Sequence, residues 1–144
     1  MALGIHPNEV RDLELLANHG WRLVDPHQVA GTPDGFRHYV TSSMAEFSVA
    51  QEMYVASESG WFSDRTTRYL AAGRPVMVQD TGFSRHIPVG EGLLAFSTIE
   101  EAAAGAQSLM ADYPRHAAAA RKVAEELFDS DRVLTEFLEG CDLP

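Results

Sequence analysis

A chain of 144 residues with 45% hydrophobic content can close one sizeable core and is too short for two full domains, so a single domain over residues 1–144 is expected. Eleven basic against twenty-one acidic residues give a net charge of −10, which argues against duplex nucleic acid or an anionic membrane as the main partner. The single cysteine, Cys141, leaves nothing for an internal disulfide or a thiolate metal cage, and no apolar run approaches the roughly 18 residues of a membrane span.

The opening Met1-Ala2-Leu3-Gly4 lacks the basic and apolar parts of a signal peptide, so the cytoplasm is the expected location. Pro7 at a first-turn position, Val10, Leu13, Leu16 and Ala17 at helical spacing, and Gly20 as the stop predict a helix over residues 7–19. Trp21 to Val24 reads as a short strand ended by Asp25-Pro26, followed by a brief helical stretch through Val29. Phe36, Tyr39 and Val40 suggest one apolar helical face. Ala45 to Ala50 and Met53 to Ala56 are both compatible with strands.

Asp64 is expected to cap a helix through Ala72, which Gly73 and Pro75 terminate. The apolar run Pro75-Val76-Met77-Val78 is the pattern of a strand buried on both faces, and Leu93 to Phe96 repeats it. Ser97 to Glu101 carries two overlapping capping boxes opening a helix with Ile99, Ala102, Ala106 and Leu109 on its inner face. Asp112 or Tyr113 caps the next helix, and Asp129 or Ser130 the last, with Val133, Leu134, Phe137 and Leu138 inward. Strands alternating with helices predict an α/β, Rossmann-like three-layer domain with a parallel sheet and a helical C-terminal tail.

In such sheets ligands settle beyond the carboxyl ends of the strands, which directs attention to two loops. The first runs from Ser57 to Arg65. Its helix N-terminus offers free N–H groups that, with the Ser63 hydroxyl and Arg65, could hold a diphosphate, while Gly60 permits close approach of the backbone. Asp64 would oppose that anion unless its carboxylate is engaged in capping. The second loop, Gln79 to Ser84, offers Gln79 and Asp80 to sugar hydroxyls around a turn opened by Gly82. Ser43 and Glu46 suit a ribose or phosphate edge, or else form a capping box. Arg65, Arg68, Arg74 and Arg85 fall within twenty-one positions, whereas Glu100 to Asp142 holds ten acids and four bases. That cluster could hold a small anion or simply pair with neighbouring carboxylates. The six histidines are scattered, so no histidine-built metal site is expected.

The run from Ser59 to Ser84, SGWFSDRTTRYLAAGRPVMVQDTGFS, resembles the donor-site core of bacterial GT-B glycosyltransferases. The flanking SSMAEFSVA, GEGLLAF and RHAAAARKVAEELFDSDRVL extend the similarity from about Asn8 to Leu138. The resemblance implies a nucleotide diphosphate-sugar as donor substrate, no separate cofactor, and a sugar acceptor held by a partner domain in cis or trans. It assigns Ser59, Gly60, Trp61, Ser63, Asp64 and Arg65 to the donor's phosphates and nucleotide, and Gln79, Asp80, Thr81 and Gly82 to its sugar. Many retaining members carry two glutamates where this chain has Gly60 and Arg68, so the stereochemical class stays open. A non-catalytic nucleotide-binding or interaction module that kept the fold is the alternative expectation.

Overall fold

The computed structural model describes residues 1–2 and 4–141. They form two compact units, one from Met1 to Ser42 and a second beginning at Ser43.

The first unit contains α1 (Val10–Asn18), α2 (Pro26–Ala30) and α3 (Pro33–Ser42). Asp25 caps α2 by accepting from the His27 N–H at 2.9 Å. Trp21 to Val24 is not a strand as expected: among the described residues its ladder contact is an isolated parallel bridge between Val24 and Ala2. The Val24 N–H donates to the Met1 carbonyl at 3.0 Å, and a single bridge does not make a ladder. Val40 is the one apolar side chain of this unit buried below a tenth among the described residues.

The second unit is a mixed α/β structure. Its elements are β1 (Glu46–Ser48), α4 (Glu52–Ala56), α5 (Asp64–Ala71), β2 (Val76–Gln79), a 3-10 turn (Phe83–Arg85), β3 (Leu93–Phe96), α6 (Ile99–Ala111), α7 (Tyr113–Leu127) and α8 (Ser130–Gly140). The three strands form one parallel sheet in the order β1-β2-β3, with Phe47 opposite Met77 and Met77 opposite Leu94. The apolar reading of β2 holds: Pro75, Val76, Met77 and Val78 are all buried. Side chains alternate between the faces. Met77 and Leu94 therefore meet α6, where Gly105 leaves room for the Met77 sulfur, while Glu46 and Ser48 meet Arg65 of α5.

Several local expectations give way. Met53 to Ala56 lies in a helix, α4, because Gln51 is extended at its start and the backbone turns at once toward Ser57, so no strand can extend. Ser63, and not Asp64, caps α5; Asp64 sits inside the first turn and pairs with Arg68 at 3.0 Å. The Ser43 and Glu46 capping box does not form, because Glu46 is the first residue of β1.

The capping box on α6 is the Thr98 and Glu101 pair, and the helix turns Ala102, Gly105 and Leu109 inward, leaving Ile99 83% exposed. Ala106 is likewise exposed. Asp112 caps α7 and Asp129 caps α8. The four apolar residues expected to face inward on α8, Val133, Leu134, Phe137 and Leu138, are all exposed, because α5 and α7 leave an open depression before Val133 and Leu134 and do not close over the helix. No helix among the described residues is long and apolar enough to cross a membrane.

Candidate functional site

The carboxyl ends of β1 and β2 point toward the loop before α5 and the loop after β2, and two hydrogen bonds tie these loops together. The Gly60 N–H donates to the Thr81 carbonyl at 2.8 Å, and the Thr81 hydroxyl donates to the Trp61 carbonyl at 2.6 Å. Thr81 is only 1% exposed, so both bonds are shielded from water and hold the loops in one arrangement. Gly82 adopts φ +93°, and a Cβ there would meet the Glu58 carbonyl oxygen at 3.0 Å, which explains a glycine at the closest approach of the two loops.

The second loop is braced by Asp80. Its carboxylate accepts from the Gly82 N–H at 2.9 Å, from the Ser84 N–H and from the Ser84 hydroxyl. Burial works against the charge, but these bonds, first that of the Ser84 hydroxyl, and the nearby Arg85 guanidinium together hold the carboxyl below its ordinary value. Asp80 is thus an ionised acceptor whose orientation is set by its own loop. Arg85 reaches across to form an ion pair with Glu58, the one non-glycine residue at positive φ among the described residues.

On the first loop, Ser63 is buried and accepts from the Arg65 N–H at 3.2 Å. Trp61 is 39% exposed and stacks on Tyr54 with ring centres 5.0 Å apart. Phe62 does pack inward, against Phe83 and Phe128. Ser59 accepts from the Trp61 N–H at 3.3 Å. Gln79 accepts from the Ala50 N–H at 3.2 Å, so its carbonyl is engaged in closing the end of β1.

Arg65 is held by two side chains of β1. Its Nε donates to Glu46 at 2.6 Å and its Nη2 to the Ser48 hydroxyl at 2.8 Å. Arg68 and Arg85 likewise pair with Asp64 and Glu58. Arg74 donates to the Tyr113 hydroxyl at 3.2 Å. Arg65, Arg68 and Arg85 of the cluster thus each pair with a carboxylate.

The cavity between the loops is small, about 10 Å³, with Ser48, Val78 and Gln79 below and Trp61, Ser63 and Thr66 around it. That volume suits a single water. A larger ligand would lie outside it, over the loop edge. A wider depression of about 650 Å³ lies between α5, α7 and α8, lined by Arg121, Phe128 and Leu134 among others, but no loop from a strand end enters it.

The structure thus gathers Ser59, Gly60, Trp61, Ser63, Arg65, Gln79, Asp80, Thr81 and Gly82 at one edge. Asp64 points out to solvent, and Ser43 lies on the amino-terminal side of β1. Tyr54, Ser48, Glu58 and Ser84 complete the site and were not singled out from sequence. Only Ser84 left a signal, a hydroxyl four residues beyond Asp80. Comparison of the chain with family models, with curated proteins and with solved structures gives no match.

Proposed function

We propose that the unit beginning at Ser43 is a Rossmann-like, three-layer donor-binding half of a cytoplasmic GT-B glycosyltransferase, holding the diphosphate of a nucleotide-sugar over the loop edge. The observation that carries this reading is the pair of buried hydrogen bonds through Thr81, which brings the loop before α5 and the loop after β2 to the same end of a parallel sheet. Backbone N–H groups at the start of α5 and the Ser63 hydroxyl face a diphosphate, and Asp80 faces sugar hydroxyls. Chemistry then needs an acceptor held in line with the anomeric carbon, a task for an acceptor-binding domain in cis or trans.

Thermal melting in the presence of nucleoside diphosphates, their sugar esters and nucleoside monophosphates tests the reading. Stabilisation that rises with the logarithm of diphosphate concentration, and is weaker for monophosphates, is expected. No stabilisation by any diphosphate up to millimolar concentration would overturn it. The pairing of Arg65, Arg68 and Arg85 with carboxylates favours a second reading, a non-catalytic nucleotide-binding module. Restored sugar transfer on adding an acceptor domain, with none by this chain alone, separates the two.

A further inference from the structure

Glu46 is the least expected group in the second unit. It is a carboxylate at the start of a strand, 5% exposed, with Oε1 bonded to Arg65 and Oε2 buried without a hydrogen-bond partner among the described residues. A buried carboxylate oxygen left open costs stability, and a side-on, two-toothed grip of the guanidinium would have satisfied it. Instead Nη2 of Arg65 turns to Ser48, and the arginine side chain stays 48% exposed. A guanidinium has five N–H donors. Two of Arg65's are engaged by side chains of the described residues, which leaves three, all carried by a residue in the first turn of α5.

We propose that Glu46 sets the strength of the diphosphate site from beneath, aiming Arg65 through its Nε while offsetting most of its charge. This rests on the donor-binding reading above. A fully exposed arginine charge at a helix N-terminus would bind a diphosphate tightly and also retain the nucleoside diphosphate released by transfer. With Glu46 buried behind it, Arg65 still offers three N–H donors in a fixed plane, but the net charge they present is close to zero. Binding is then directional and weak enough to reverse. Ser48 shares in the aiming, because its hydroxyl holds the second nitrogen.

The test is titration of the full chain with inorganic pyrophosphate, the part common to every nucleotide diphosphate. The wild type, Glu46→Gln and the double variant Glu46→Gln with Arg65→Ala are compared by calorimetry at two salt concentrations. Glutamine keeps the acceptor for Nε and removes the charge, so affinity should rise about tenfold or more and depend more steeply on salt. The gain should vanish in the double variant. That variant buries no unpaired charge, so the loss reports Arg65's contact with the ligand and not a damaged fold.

Unchanged or weaker binding by a folded Glu46→Gln chain would overturn the inference and leave the diphosphate reading standing. Absence of binding by every variant would overturn both. Should Glu46→Gln fail to fold, nitrogen-15 spectra of the wild-type arginine side chains give the answer. Pyrophosphate should shift the Arg65 Nη signals and leave Nε–H, still bonded to Glu46, in place. A displaced Nε–H, or no shift at all, would refute the assignment.

Discussion

The bond from the Thr81 hydroxyl to the Trp61 carbonyl, at 2.6 Å and almost wholly shielded from solvent, makes a quantitative prediction. Thr81→Val replaces the hydroxyl by a methyl of nearly the same volume, so no cavity opens and the effect isolates the hydrogen bond. The Trp61 carbonyl then loses this donor at a site closed to water, at a cost of about 1–2 kcal/mol. For a unit of this size each kcal/mol lowers the melting temperature by about 4–8 °C, so a drop of about 5–15 °C is expected. The Gly60 bond to the Thr81 backbone survives the change, so the loop should loosen without the sheet unfolding. Circular dichroism melts with and without pyrophosphate measure both the loss of stability and the expected weakening of binding. A melting temperature within about 2 °C of the wild type would show that the two loops are not held together by this contact.

Gly92→Ala should prevent folding of the second unit. The glycine has φ +73°, and a Cβ would fall 2.2 Å from the Ala120 backbone nitrogen, which cannot yield without moving α7; loss of the far-ultraviolet helical signal checks it. Asp80 predicts an acid limb. Its carboxyl is depressed in the folded state, so its contribution is complete above the unfolded value near 4 and is lost as pH falls through the folded value. Melts from pH 7 to pH 2 should show this loss below about pH 4 in the wild type, and a flatter profile there in Asp80→Asn. Phe137→Ser should change stability by no more than about 0.5 kcal/mol, because the ring is 62% exposed on α8; urea denaturation checks it, and a loss above about 2 kcal/mol would mean that this face is covered in solution.

The legible parts of this chain were those with local causes. β2 announced itself because strands buried on both faces are uninterrupted apolar runs, and α6 because the Thr98 and Glu101 capping box is written in four consecutive residues. The parallel sheet followed from the alternation of such elements. Where partners far along the chain decide, sequence reading failed. Trp21 to Val24 has strand composition but, among the described residues, only Met1 and Ala2 as ladder neighbours, and the apolar stripe of α8 has amphipathic spacing but is left exposed. The candidate site shows the same division. Gly60, Ser63 and Gly82 were visible as loop residues, whereas the turning of Arg65 onto Glu46 depends on a contact nineteen residues distant that no local pattern encodes.

The most direct test of the account is amide chemical-shift mapping of the full chain during titration with pyrophosphate and then with nucleoside diphosphates. Saturable shifts concentrated at Gly60, Ser63, Thr66, Thr81 and Gly82, around the loops that Thr81 joins, are expected. Shifts centred on Ala124, Phe128 and Leu134, in the wide depression between α5, α7 and α8, or no saturable shifts anywhere, would contradict it.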